Sequence, residues 1–386
     1  MLNKKSNLLI GILIISSLLY IGCQESDVPV TLTQFSEATD IDEDTSASDN
    51  DGITFPEKYE KESGNVTFET MIVLNKDFNP NEIYDYIATL QQPDPSNTLK
   101  VLFLGINYQE EITTNDSGQT DYYYAGQNGE TLLIYPESVQ LYKSFADHLP
   151  RVLSLSYKYN YNGDKYSQSE EFSFAARDTA LTDILDILSK MGITIGNDYS
   201  YSGYSLDYQT MKNEETVLGI QGEADPSQYK ENWSSDDDCY YFALRQTCQK
   251  LPVYYIYSDI YKEASDAFAQ VQAAYSKDGL FYLLMDKTFK FQKGDTKLKL
   301  KNFEEIAGTV EYKYANIISD DNYIVTKAQL MMMARQEKNE SYRLTPVWVF
   351  DVTENLKLQS GEGSVEEHSV LNQVIVNAVT GEEIIQ

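Results

Sequence analysis

Short segments rich in aromatic and β-branched residues, separated by turn dipeptides, constrain this chain more than any other feature. The clearest pair is Tyr122–Tyr124 and Thr131–Tyr135, on either side of Asn128-Gly129. An Asn-Gly dipeptide supplies the two positive-φ positions that a tight hairpin needs, so these segments are predicted to pair as antiparallel strands. Residues 152–174 repeat the pattern around Asn162-Gly163, which predicts a second hairpin. The chain is therefore expected to fold mainly into antiparallel sheets.

Two segments carry the spacing of amphipathic helices. Asp178 precedes a run of apolar residues at helical spacing, and Gly192 follows at the expected end. A second helix is predicted to begin at Asn302. Each helix precedes several strand-like segments, and the sequence lacks the regular alternation that builds a parallel sheet. These patterns predict an α+β fold of antiparallel sheets with few helices.

Four further segments are assigned in the same way. Residues 79–90 begin with Asn-Pro and place apolar residues on one helical face, which predicts a helix. Residues 100–105 (KVLFLG) predict a buried strand, and the polar stretch 196–237 predicts a long connection. Residues 264–284 carry conflicting signals, because the alanines of 264–275 favour a helix whereas Asp278-Gly279 predicts a hairpin, and we prefer the hairpin. These assignments spread secondary structure over the whole chain beyond its N-terminal region.

The N-terminus has the order of a bacterial export signal. Two lysines precede an apolar run, Leu8–Ile21, and Gly22 stands before Cys23. The run is shorter than the ~20 apolar residues of a membrane-spanning helix. Its end resembles a lipobox, in which the cysteine is acylated and becomes the new N-terminus. We therefore predict a lipoprotein signal peptide over 1–22 and a lipid anchor at Cys23, with an uncleaved signal anchor or ordinary cleavage near Gly22 as the alternatives.

The chain is strongly acidic, with 60 Asp and Glu against 30 Lys and Arg and a formal net charge of −30. Such a surface repels phosphates, so we expect no nucleic-acid partner and attachment to a membrane only through acyl chains on Cys23. Nine acidic residues and no basic residue lie within 24–51, which predicts a disordered acidic tether over 23–55. The remainder is predicted to form an N-terminal α+β domain, 56–176, and a C-terminal one, 177–386.

Cys239 and Cys248 remain once Cys23 is assigned to the anchor. An exported protein meets an oxidising environment, so an even pair predicts a disulfide between them. Two unpaired thiols are the alternative. Their spacing is not that of zinc ligands, and the two histidines, His148 and His368, lie far away in sequence. We therefore expect no metal site at these cysteines.

The sequence contains no motif that brings catalytic chemistry together. A G-x-S-x-G elbow, an H-E-x-x-H motif and a P-loop are all absent, and only His148 and His368 could serve as histidine bases. Asp236–Asp238 is interpreted as a solvated loop rather than a cation site. Met331–Met333 is interpreted as sheet core, because alternate side chains of a strand face opposite ways. We predict a protein that is not an enzyme and holds no cofactor or metal.

The end of the chain carries a resemblance to a known family. Leu344–Phe350 (LTPVWVF) followed by Val374–Ile385 (VIVNAVTGEEII) resembles the closing hairpin of PepSY-type domains, with Asn377 in place of the usual Asp. The helix end Lys190–Ile193 also resembles that of such domains. The order of short motifs resembles uncharacterised lipoproteins of clostridial type: FPEKY at 55–59, DGL at 278–280 and NFEEI at 302–306. The resemblance implies a C-terminal region similar to PepSY, YycH and YycI proteins.

The same resemblance implies a non-catalytic protein that binds other proteins outside the membrane and restrains proteases or sensor kinases. We therefore expect a lipid-anchored extracytoplasmic protein that binds and modulates another envelope protein. One alternative is a solute- or glycan-binding lipoprotein that uses some of its 31 tyrosines as a platform; another is a hydrolase with acidic catalysts. An exposed edge strand favours the first, a deep aromatic cleft the second, and two facing carboxylates about 5–10 Å apart the third.

Overall fold

The computed structural model describes residues 52–153, 162–196, 198–215, 225–255, 269–315, 317, 321–337, 341–359 and 365–385, which fall in one compact unit spanning 51–386. The predicted signal peptide, Cys23 and most of the predicted tether lie outside these residues. Among the described helices, none combines the length and the apolar character that crossing a bilayer requires.

The described residues form short helices and a larger number of strands. The helices are α1 Pro95–Leu102, α2 Leu149–Val152, α3 Arg177–Lys190, α4 Tyr208–Glu214 and α5 Phe303–Ala315. The strands are β1 Lys58–Ser63, β2 Val66–Val73, β3 Tyr84–Leu90, β4 Tyr108–Thr114, β5 Thr120–Gly126, β6 Thr131–Ile134, β7 Ser138–Tyr142, β8 Tyr199–Leu206, β9 Cys239–Cys248, β10 Leu251–Pro252, β11 Val271–Ser276, β12 Gly279–Asp286, β13 Phe289–Lys297, β14 Asn322–Gln336, β15 Tyr342–Gln359 and β16 Val365–Asn377.

The first sheet has the strand order β1-β2-β14-β15-β3-β13, and β16 pairs with the later part of β15. Helix α5 covers one face, where the ring of Phe303 meets Trp348 edge-on at 5.0 Å. Ile306 and Val310 of the same helix are fully buried in this core. The pairs are antiparallel except β2 with β14, which run parallel. The first sheet is therefore mixed, whereas the sequence predicted purely antiparallel pairing.

The second sheet has the order β10-β9-β11-β12-β7-β6-β5-β4, and β8 also pairs with β9, on the side opposite β11. Alternate residues of its central strands pack on opposite faces. Phe242 and Leu244 face a core that includes α1 and α3, and Tyr241 and Ala243 face a core that includes α2 and α4. All ten residues of β9 are buried, so this strand forms the centre of the second sheet.

The coarse prediction of an α+β fold with few helices is confirmed. The predicted Asn128-Gly129 hairpin is the β5–β6 pair, and Gly129 has the positive φ of 91° that the turn requires. The helices predicted from Asp178 and Asn302 are α3 and α5, and the Asp278-Gly279 hairpin is β11–β12. Each of these predictions used a signal that is contained within its own segment.

Three segment predictions were wrong. Residues 79–90 end in strand β3 instead of a helix, because β3 pairs with β13 and with the start of β15. Residues 100–105 contain the end of α1, which Asp94 caps by accepting from Asn97 N at 2.7 Å. The stretch 196–237 contains β8 and α4 rather than only a connection.

The second predicted hairpin is also corrected where it is described. Residues 154–161 lie outside the described part, and 163–165 form a single 3₁₀ turn. Asn162 is buried, and its amide donates to Val152 O at 3.0 Å and to Glu214 Oε2 at 2.9 Å. The Asn-Gly dipeptide therefore serves here as a polar anchor between two helices.

The ends of the predicted segments differ from the structure in two ways. Ile53 and Phe55, assigned to the tether, pack on the first core, where Phe55 lies 5.1 Å from Trp348. Both sheets combine strands from 56–176 with strands from 177–386. The sheets therefore do not coincide with the predicted two-domain division, which stays a prediction.

Buried glutamines join the two sheets. In β9, Gln246 accepts from Phe289 N at 2.8 Å and donates to Phe289 O at 2.8 Å. Beyond β3, Gln91 accepts from Thr194 N at 2.9 Å and donates to Thr194 O at 2.8 Å. Gln270 accepts from Gln246 N at 2.9 Å and donates to Gln246 Oε1 at 3.2 Å. We call Gln91, Gln246 and Gln270 the glutamine junction.

We expect Gln246→Leu to lower the free energy of unfolding by about 2–4 kcal/mol, because Phe289 N and the Gln270 amide lose a buried acceptor. Urea titration followed by circular dichroism measures this change. The matched control is Gln292→Leu on β13, where the side chain is exposed and the change should stay within about 0.5 kcal/mol. Equal effects of the two substitutions would show that the junction does not stabilise the fold.

Candidate functional site

Strand β4 is an exposed edge of the second sheet. All seven of its residues, Tyr108–Thr114, are exposed. Within the part of the chain that the structure describes, β4 pairs only with β5. An edge strand of this kind presents a row of backbone N–H and C=O groups to which another strand can bind. The sequence analysis made no prediction for these residues.

A hydrogen bond in the turn after β4 shows which backbone groups of the strand point away from the sheet. Asn115 N donates to Gln119 O at 2.9 Å, so Asn115 directs its backbone groups toward β5. Backbone direction alternates along an antiparallel strand. The N–H groups of Glu111 and Thr113 therefore also point toward β5, and those of Glu110 and Ile112 point away from the sheet. The outward groups are the candidate binding positions.

Apolar side chains extend beyond the core at this edge. Ile112 lies opposite Tyr122 in the β4–β5 pair, on the face that packs against α1, and it remains 51% exposed. Tyr108 lies on the same face, 5.2 Å from the Tyr124 ring, and is 42% exposed. The edge thus offers apolar surface beside its open backbone groups.

The edge is also acidic. Between Lys100 and Lys143 the sequence has six acidic residues and no basic one. Glu110 lies opposite Tyr124 on the core-side face, and Glu111 lies opposite Tyr123 on the other face. Carboxylates therefore project from both faces of β4. This run without a basic residue is the sequence signal that could have identified the site.

An aromatic cleft of about 410 Å³ lies beside β16. Three of its lining side chains are Tyr254, Tyr314 and Tyr323, but these are only 3–7% exposed. Tyr314 and Tyr323 also stack on each other at 4.4 Å. Because a sugar stacks on an open ring face, this cleft does not favour the tyrosine platform considered in the sequence analysis.

A smaller cleft, of about 290 Å³, lies between the end of β2 and strands β8–β10. Its lining includes the cations Arg245 and Lys250, together with hydroxyl groups such as that of Ser202, and no carboxylate among the described residues. Lys250 Nζ also lies 3.1 Å from Asp198 Oδ2. In an otherwise acidic chain, this cleft suits a small ligand that carries an anionic group.

His148 is part of a buried polar cluster. Its Nδ1 lies 2.6 Å from Glu215 Oε1, and the Glu215 side chain is 1% exposed. The carboxylate also accepts from Lys230 N and, at 3.1 Å, from Trp233 Nε1. His148 Nε2 faces Asp147 Oδ1 at 3.7 Å. Among the described residues, no serine or cysteine side chain hydrogen-bonds to His148, and the cluster connects α2 to the end of α4.

The aspartates of the Asp236–Asp238 segment have structural roles. Asp237 accepts from Ser234 N in a capping box, and Asp238 accepts from Tyr208 N at 2.8 Å. Burial raises the pKa of Asp238. Within the residues that the structure covers, no group of three or more His, Cys, Asp or Glu side chains could hold a metal ion.

Met331 and Met332 pack in different cores, as predicted for neighbours on a strand. His368 belongs to β16, but its side chain lies outside the described part, and Cys23 does so entirely. Neither residue is therefore joined by this structure to any other candidate.

The predicted disulfide between Cys239 and Cys248 is wrong for this fold. Both are free and buried, at opposite ends of strand β9. Nine steps of about 3.3 Å separate their Cα atoms by about 30 Å, whereas a disulfide requires about 7 Å or less. Cys239 packs in the α2–α4 core and Cys248 in the core of the first sheet. Spacing in sequence could not show that one extended strand holds both.

Comparisons with known proteins identify the fold alone. No family model matches the chain, and no curated protein matches it. One similar solved structure is an uncharacterised protein from Eubacterium rectale ATCC 33656, with a TM-score of 0.58 and 14% sequence identity. The alignment covers 86% of this chain and 94% of that one. The two chains are therefore similar in fold over most of their lengths.

We expect neither Cys239 nor Cys248 to react with iodoacetamide in the folded protein. Burial raises the pKa of Cys248 to about 12 and that of Cys239 well above its ordinary value, and the reactive form is the thiolate. In denaturant without reductant, peptide mapping should find both alkylated. A linked Cys239–Cys248 peptide pair would contradict the structure.

Proposed function

We propose that this chain is a non-enzymatic, lipid-anchored protein of the extracytoplasmic face that binds and modulates another envelope protein, such as a sensor or a protease. The observation that carries the proposal is the open edge of β4. Seven consecutive exposed residues form a regular strand there, and its outward backbone groups have no strand beside them in the described part of the chain.

Strand addition is the binding mode that this edge supports. An extended segment of a partner can continue the sheet, with main-chain hydrogen bonds supplying affinity and alternate side chains supplying specificity. The exposed apolar groups of Tyr108 and Ile112 add surface that a bound strand can bury. The resemblance to PepSY-type domains supports the same class of function, because it implies binding to proteins outside the membrane.

A small-solute binder is the second candidate function. The cleft lined by Arg245 and Lys250 favours it, since cations in the lining suit an anionic solute, although Lys250 already pairs with Asp198. Its volume of about 290 Å³ fits only a small molecule. The two candidates differ in what the protein retains when it is isolated from membranes, which is either a protein or only a small anion.

We expect Cys23→Ala to move the protein from the membrane fraction to the soluble fraction, because a net charge of −30 gives it no electrostatic attraction to an anionic bilayer. Fractionation and immunoblotting measure this change. Cys248→Ala is the control and should stay with the membrane. Retention of the Cys23→Ala protein in the membrane fraction would contradict the anchor.

We expect Ile112→Pro to reduce crosslinking to a partner protein roughly tenfold, because proline removes one outward N–H donor. No β4–β5 hydrogen bond is lost, so the fold should be retained. The control Ile112→Ala removes the side chain but keeps that donor, and it should crosslink better than the proline variant.

The experiment crosslinks intact membranes, purifies the full chain and identifies its partners by mass spectrometry. A partner captured equally by the proline variant and the wild type would exclude β4 as the binding edge. Recovery of a small anion without any protein would favour the second candidate.

A further inference from the structure

We infer that β4 selects a basic strand, one that pairs two adjacent Lys or Arg residues with Glu110 and Glu111 and flanks them with apolar residues. This inference rests on the proposed function and specifies the chemistry of the partner. It follows from the order of side chains along the edge and from the charge around it.

The charge around the edge is of one sign. The meander β4–β7 and its turns contain no Lys or Arg between residues 101 and 142, and its six acidic residues include Asp116 and Asp121 in the β4–β5 hairpin. Opposite charges placed directly across a strand pair stabilise it, and like charges destabilise it. A strand that places Lys or Arg opposite Glu110 and Glu111 is therefore preferred over an acidic or neutral one.

The side-chain order gives the rest of the pattern. Tyr108, Glu110 and Ile112 share one face of β4, and Glu111 lies on the other. A partner strand therefore needs apolar residues opposite Tyr108 and Ile112, which are exposed, and basic residues on both faces between them. A partner strand that runs antiparallel to β4 begins opposite Ile112 and ends opposite Tyr108. From its N-terminus, its residues are therefore apolar, basic, basic, polar and apolar.

Two other occupants fit less well. A second copy of this chain, paired β4 to β4 in full antiparallel register, would place Glu111 opposite Glu111, and like charges repel there. The segment 24–51 of the same chain has nine acidic residues and no basic residue to pair with the edge. Charge complementarity therefore points to a different protein with a basic extended segment.

Glutamates on an edge strand can also serve only to prevent aggregation. That role needs charge but no particular partner, and it gives no reason for Tyr108 and Ile112 to be exposed on the same strand. The two roles differ in a measurable way. A protective edge rejects all peptides, whereas a selective edge binds a basic one.

The test measures fluorescence anisotropy of labelled peptides with the full-length protein in detergent. The probes are Thr-Val-Lys-Lys-Thr-Val-Thr and its partner Thr-Val-Glu-Glu-Thr-Val-Thr. We expect the lysine peptide to bind roughly tenfold more tightly at low salt, and this preference to shrink in high salt. The double substitution Glu110→Lys, Glu111→Lys should reverse the preference. Glu60→Lys on β1, an exposed position of another edge strand, should leave it unchanged.

The outcomes separate this inference from the proposed function. Equal binding of both peptides, lost in Ile112→Pro, would overturn the basic selection while strand addition at β4 stands. Binding of neither peptide, with crosslinked partner still lost in Ile112→Pro, would also overturn the basic selection alone. Peptide binding and partner capture that are both unaffected by Ile112→Pro would overturn both. The neutral pair Glu110→Gln, Glu111→Gln, which should remove the preference without reversing it, guards against misfolding of the lysine variant.

Discussion

The relative position of the two sheets depends on buried amide groups. A glutamine side chain carries a donor and an acceptor side by side, which matches the N–H and C=O of a single backbone residue. Gln246 binds Phe289 in this way, and Gln91 binds Thr194. Phe289 begins a strand of the first sheet, whereas Gln246 belongs to the second. Sliding one sheet past the other would leave these buried groups without partners, at a cost of about 1–3 kcal/mol each.

The second sheet is most open at its edges. Its central strand, β9, is buried on both faces, and helices cover much of the sheet. Strand β4 lies six strand positions away from β9, about 29 Å at ordinary strand spacing. A partner that pairs with β4 therefore does not disturb the glutamine junction. The structure separates the region that holds the fold together from the region that we propose for binding.

Some local signals in the sequence predicted local structure correctly, whereas others, such as Asn162-Gly163, did not. The Asn128-Gly129 turn and the helix after Asp178 needed nothing outside their own segments. Strand β3 was missed because its partners, β13 and β15, lie roughly 200 and 255 residues later in the chain. The disulfide was wrong because the strand that separates the two cysteines depends on pairing with β8 and β11. The β4 edge was missed because an edge is defined by the absence of a neighbouring strand, and the acidic run from 101 to 142 shows the charge of this region but not its place in the sheet.

Residue-resolved amide hydrogen exchange of the free protein tests the central claim most directly. If β4 is an open edge, protection alternates along it: the Glu111 and Thr113 amides, which face β5, exchange slowly, and the Glu110 and Ile112 amides exchange fast. Adding the partner should slow the second pair alone. Uniform protection of all four amides in the free protein would contradict the account, because it would mean that the edge is already covered.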